Sequence, residues 1–121
     1  MPRHYFASLR DLPSTEPAPG VTQRLVQGDH VSVVIAELQP KTVVDTHKHV
    51  EERTGVVTRG SLVMVIAGEQ RILNAGDTFR VPAGAAHGAR VFEVPAQVIE
   101  VWAPPRETRP RRPAGRRATL V

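Results

Sequence analysis

Thr46-His47-Lys48-His49-Val50-Glu51-Glu52-Arg53-Thr54-Gly55-Val56-Val57-Thr58-Arg59-Gly60 is the stretch from which the rest of the chain can be read. Two histidines stand two residues apart. In a β-strand, side chains two apart point to the same face, so both imidazoles aim into one space. A third histidine closes the segment Gly76-Asp77-Thr78-Phe79-Arg80-Val81-Pro82-Ala83-Gly84-Ala85-Ala86-His87. Three neutral imidazoles brought together from two strands make a ligand set for one divalent metal ion. Imidazole suits zinc, iron, manganese and nickel alike, so ligand type leaves the metal's identity open.

The carboxylates beside this pair extend the reading. Glu51 shares strand parity with His47 and His49 and is the candidate fourth ligand if the strand stays regular. Glu52 reaches the same face only through a bulge, and a site of three histidines alone is the third option. Arg53 cannot coordinate a cation. Regular pairing keeps it on the histidine face, where its guanidinium would clamp an anionic substrate, and a bulge would turn it to solvent. Glu51, Glu52 and Arg53 are therefore the candidate catalytic residues, and His47, His49, His87 and Glu51 the candidate metal ligands. His4 and His30 read as surface or turn residues.

Outward from the histidines the pattern is one of short strands. Val21 to Val26 is the first, closed by Gln27-Gly28-Asp29. His30 to Gln39 is rich in Val and Ile with imperfect alternation, which predicts a strand buried on both sides. Strands follow over Thr42–His49, Thr54–Arg59, Leu62–Ile66, Gln70–Leu73, Thr78–Val81, His87–Phe92 and Gln97–Trp102. Gly68-Glu69 and Asn74-Ala75-Gly76-Asp77 supply turns, and Pro104-Pro105 ends the pairing. No amphipathic helix of useful length is present. The expected fold class is all-β, a sandwich or barrel forming a single domain over residues 21–105. Residues 1–20, with four prolines, read as an extended arm with short pieces packed on that domain.

Composition sets further bounds. A chain of 121 residues suits one domain, and with 4% aromatics its core must be aliphatic. There is no cysteine, which excludes disulfides and thiolate zinc sites. No apolar run is long enough for a membrane span, and the first residues lack a signal-peptide pattern, so a cytoplasmic protein is expected. Of the net charge of +4, residues 106–121 carry six arginines against Glu107, or +5, which leaves −1 for the remainder. That basic tail is expected to be solvated and mobile, and its residues Arg109 to Val121 to be dispensable for folding. It has no aromatic side chain for stacking on bases, so nucleic acid is not the expected partner.

The two histidine segments resemble the motifs of the cupin superfamily, G-x5-H-x-H-x3/4-E-x6-G and G-x5-P-x-G-x2-H-x3-N. His47, His49 and Gly60 match the first, with Lys41 at its leading glycine and Arg53 at its glutamate. Gly76, Pro82, Gly84 and His87 match the second, with Val91 at its asparagine. The resemblance covers roughly residues 21–105. It implies a small double-stranded β-helix, or jelly-roll barrel, of the RmlC-like kind, with the site in its mouth and a homodimer as the assembly. Gly84-Ala85-Ala86-His87-Gly88 and Trp102-Ala103-Pro104-Pro105-Arg106-Glu107 look like segments of the cupins that linearise unsaturated uronates in pectin breakdown, which place a glutamine where Arg53 stands. The resemblance thus implies a metal-dependent enzyme that isomerises or cyclises a small, oxygenated, anionic substrate. A three-histidine iron dioxygenase and a non-catalytic ligand-binding or sensor cupin are the alternatives, and a metal-free pocket is known among sugar-epimerising cupins.

Overall fold

The computed structural model describes residues 5–105. His4 and the basic tail from residue 106 lie outside the described residues. Among the described residues, ten strands form two antiparallel sheets. β1 (Ser14–Ala18), β2 (Val21–Gln27), β3 (Ser32–Leu38), β10 (Ala96–Ala103), β5 (Glu52–Arg59) and β8 (Thr78–Val81) lie side by side in that order. β4 (Val43–His47), β9 (His87–Val91), β6 (Ser61–Ile66) and β7 (Glu69–Asn74) make the second sheet. This is the expected all-β jelly roll. Among the described residues the only helical turn is a 3₁₀ turn over Leu9–Asp11, and no helix is long and apolar enough to cross a membrane.

Two local expectations change. The arm contributes a strand of its own, because Ser14 and Thr15 pair with Arg24 and Gln23 at the sheet edge, where Pro17 costs no ladder bond to a further strand. β3 is not buried on both sides. Ser32, Val34, Ala36 and Leu38 are buried, whereas Val33, Ile35 and Glu37 between them are half-buried. The sheet has a core face and an outer face, and the Val/Ile run masks that alternation because both faces are largely apolar.

The core lies between the sheets and is aliphatic, as low aromatic content requires: Val21, Leu38, Val44, Val57, Leu62, Met64, Val91 and Val98 are all buried. Burial of each such side chain contributes about 1.5–3 kcal/mol. Phe79 packs against this cluster from β8, where its partner across the ladder is Gly55. A Cβ on Gly55 would clash with Phe79 Cζ and come within 2.9 Å of Cε1 and Cε2. Gly55→Ala is therefore expected to cost about 1–3 kcal/mol through overpacking. Its melting temperature by circular dichroism should fall by at least several degrees, and an unchanged melt would show that Phe79 moves freely.

The ladder also fixes what meets at one end of the barrel. Trp102 pairs with Arg53 on one side and Ser32 on the other, and Arg53 pairs with Val81. In the facing sheet His87 pairs with both His47 and Ile66. The same end thus gathers Arg53, Trp102, His47 and His87 from four strands.

Candidate metal centre

The first histidine reaches the interior by a bulge. Val44 and His47 are three residues apart, an odd spacing that should put them on opposite faces. The β4–β9 register shifts between them, and both line the same internal cavity. Gly88 lies opposite, and a Cβ there would press on Val44 O and Thr46 N, at 2.9 and 3.2 Å. The strand ends at His47, so His49 stands in the connection to β5. Its carbonyl accepts a hydrogen bond of 2.7 Å from Gly84 N–H, which ties the second motif to the first.

The three rings converge. Centroids lie 4.6 Å apart for His47 and His49, 4.4 Å for His47 and His87, and 5.3 Å for His49 and His87. One ligand atom from each lies within 4.8 Å of the others. The donors fit a metal on a second ground. His47 Nδ1 donates to Asp45 O at 2.7 Å and His87 Nδ1 to Ala85 O at 2.9 Å, a tautomer that leaves the Nε2 lone pairs free. Both Nε2 atoms are buried and have no hydrogen-bond partner among the described residues. Leaving such atoms unsatisfied costs about 1–3 kcal/mol each, a cost that a bound cation removes. Burial also pushes both imidazoles below their ordinary pKa, with the Arg53 charge adding to the shift, so the rings are neutral ligands near pH 7. His47, His49 and His87 could together hold one metal ion.

Glu51 stands at the edge of this set and not within it. Because β4 stops at His47, strand parity does not run on to residue 51. Its Oε2 accepts hydrogen bonds from Arg53 Nε at 3.0 Å and Arg53 Nη2 at 2.6 Å and lies 3.6 Å from His49 Nδ1. Glu52 begins β5 one residue out of phase with buried Arg53 and is exposed, so its carboxylate is in solvent and not in the site. Arg53 faces inward and is 1% exposed, with no bulge turning it out. Its guanidinium carbon lies 3.8 Å from the Trp102 ring centroid, and Nη1 lies 3.8 Å from Glu100 Oε1.

Glu100 and Trp102 are site residues that the sequence reading passed over. Trp102 Nε1 donates to Glu100 Oε1 at 2.8 Å, and its ring lies nearly parallel to His49. Burial pushes the Glu100 carboxyl above the usual carboxylate range, against the opposing pull of Arg53 and the Trp102 hydrogen bond. A signal was present. In Val98-Ile99-Glu100-Val101-Trp102 a lone carboxylate shares parity with Val98 and Trp102, the buried side of the strand. His47, His87, Arg53 and Glu100 all border one internal cavity of about 40 Å³, walled by Leu38, Val44, Met64 and Val98. That is room for about one water. A larger open groove, about 690 Å³, follows β7 and β8; it shares only Met64 and Phe79 with the cavity and contains no histidine.

Comparison with known proteins agrees with this architecture. The Cupin domain family matches residues 34–102. The pectin degradation protein KdgF of Dickeya dadantii (strain 3937) is 27% identical over 106 residues, covering 86% of this chain and 96% of that protein. The structure of KdgF from Halomonas sp. superposes with a TM-score of 0.78 at 24% identity, over 87% of this chain and 97% of that one. An RmlC-like cupin from Shewanella frigidimarina NCIMB 400 gives 0.79 at 21% identity, over 87% and 95%. With the family match spanning more than half its length, and the two histidine segments folded together at one end of a jelly roll, the chain belongs to the cupin family.

Proposed function

We propose that this cupin is a metal-dependent enzyme that isomerises or opens a small, oxygenated, anionic ring, with an unsaturated uronate as the first candidate substrate. The observation that carries the reading is the pair of buried, unpartnered Nε2 atoms of His47 and His87 beside His49. Likeness to a pectin degradation protein over nearly its whole length supports the substrate class. Three protein ligands leave coordination positions for substrate oxygens, and a divalent ion held there supplies Lewis-acid polarisation of a carbonyl or hydroxyl.

The chain's own groups account for the proton. Isomerisation moves a proton between carbon and oxygen, and a carboxyl whose pKa is raised above the ordinary range holds its proton to higher pH and can donate and recover one. Glu100 has that character, being buried with its pKa raised. Trp102 fixes Oε1, leaving Oε2 to carry the proton. The cavity's apolar wall strengthens each of these electrostatic effects.

The test is consumption of a 4,5-unsaturated uronate by the metal-loaded protein, followed by loss of its ultraviolet absorbance. A chelator should abolish turnover and added metal restore it. Turnover that survives complete chelation would overturn the metal-dependent reading. Binding without turnover would make the protein a ligand-binding cupin. Among the described residues no carboxylate joins the converging donors, which also suits a three-histidine iron dioxygenase, and strict dependence on dioxygen and iron in the same assay would favour that reading instead.

A further inference from the structure

The groove along β7 and β8 has no part in the chemistry at the histidines, yet the ladder ties it to them. β7 and β8 are the outermost strands of their sheets, so the jelly roll stands open between them. The groove of about 690 Å³ occupies that opening, a volume in the range of small-molecule sites. The internal cavity of about 40 Å³ has no room for a sugar ring. Glu69, Ile66, His87 and His47 form one continuous row across the second sheet, and Arg71, Met64, Ala89 and Val44 form the next. Val44, Met64, Ala89 and His87 all line the cavity, and opposed residues share a face, so Glu69 and Arg71 stand on the concave side. They lie two strands, or about 10 Å, from the β9 backbone at His87. Ile66 and Pro82 border the near end of the groove. Ile66 is the ladder neighbour of His87, and Pro82 follows Val81, the partner of Arg53.

We propose that this groove is a subsite for a second, linked uronate, so that a di-uronate binds with one ring at the histidines and the other between Arg71 and Arg80. The proposal deepens the uronate reading given above and rests on it for the first ring. Arg71 Nη2 meets Glu69 Oε2 at 2.9 Å, and the two side chains are 73% and 66% exposed. A pair so exposed adds little to stability and opens at small cost. Arg71 can then give an incoming carboxylate two parallel N–H bonds, and Glu69 can accept from a ring hydroxyl. Arg80 lines the opposite wall, from β8. Leu73 and Phe79, packed on the core, offer an apolar face to the C–H groups of the ring. Asp77, the other carboxylate of the groove, accepts the Asn74 N–H at 2.8 Å and closes the turn before β8. Inward-pointing charges on an edge strand disfavour the addition of a protein strand there, whereas two guanidiniums suit a small anion.

Two measurements on the full chain test this, with saturated galacturonate and its disaccharide as probes. By calorimetry on the Zn²⁺-loaded protein, the disaccharide should bind about tenfold more tightly than the monosaccharide, the effect of one added charge-assisted contact. Arg71→Gln and Arg80→Gln should each lower that ratio, and the double variant should bring it close to one. Affinities for the monosaccharide and for Zn²⁺ should stay as in the parent. Arg90→Gln, on the exposed outer side of β9, should keep the parent ratio. In ¹⁵N spectra the disaccharide should shift the Arg71 Nε–H signal and the β7 amides, with or without the metal. Equal affinities in the parent, a ratio that survives the double variant, or β7 signals that do not move would each overturn the proposal. An Arg71→Gln protein that self-associates with its ratio unchanged would overturn it too, and would make the inward charges a guard of the strand edge. The two readings fail separately. Absence of turnover with the unsaturated uronate would sink the proposed reaction, while the response of β7 to the disaccharide would still decide the subsite.

Discussion

His87→Ala is expected to bind a divalent metal at least about a hundredfold more weakly than the parent while keeping its fold. Removing a partner that merely orients a ligand costs about 10–100-fold in affinity, so loss of the ligand itself must reach the top of that range or exceed it. His87 donates from Nδ1 to one backbone carbonyl, and its Nε2 has no partner among the described residues. Alanine thus removes an unsatisfied buried atom along with one hydrogen bond, and the β9 ladder to His47 and Ile66 is made by backbone. The metal-free variant should melt within a few degrees of the metal-free parent near neutral pH. In acid the order should favour the variant. Burial holds the His87 pKa below its unfolded value of 6.5. The unfolded chain therefore takes up the proton first, and folded stability is lost as pH falls from about 6.5. The variant lacks that loss at residue 87. Metal analysis of the purified proteins and melts at pH 7 and pH 5 check both statements, and full metal occupancy in His87→Ala would remove this histidine from the site.

Much of this site is written locally in the chain, and the part that is not has a definite cause. His47, His49 and His87 are legible because spacing within short segments carries them, and turn chemistry places the segments. The strands are legible for the same reason, from Leu62–Ile66 to Gln97–Trp102. What parity cannot convey is where a strand ends or bulges. Parity carried from His47 to Glu51 assumes one continuous strand, but β4 stops at His47 and the chain bends before β5. His47 itself faces inward only because the register slips after Val44. Glu100 lay hidden for another reason. Its partners Arg53 and Trp102 come together through β5–β10 pairing, so no short window of sequence contains the set that explains a buried carboxylate.

Trp102 is where the remaining interactions of the site meet, and its replacement should have the largest effect on the fold. The side chain is 2% exposed, with the Arg53 guanidinium over its ring and its N–H committed to Glu100. Trp102→Ala should cost about 3–5 kcal/mol, the range for emptying an aromatic site. Trp102→Phe separates the parts of that loss. It keeps most of the packing and an aromatic face for Arg53, but it takes the hydrogen bond from Glu100, worth about 1–3 kcal/mol when the group left behind is buried. That loss depends on pH, and its sign follows from Glu100. Burial raises the Glu100 pKa above its unfolded value of 4.5, so its contribution to stability is fully present below 4.5 and lost as pH rises through the folded value. Without the Trp102 N–H, the ionised carboxylate is held less well and the folded pKa rises further. The deficit of Trp102→Phe relative to the parent should therefore grow as pH rises through the folded Glu100 pKa, above which the parent bond is charge-assisted. It should shrink toward pH 4, where both proteins hold an uncharged carboxyl. Urea unfolding of the two proteins across that range reads the difference directly. A deficit that stays constant with pH would mean that the N–H bond is not what distinguishes them, and that Trp102 acts on Glu100 through packing alone.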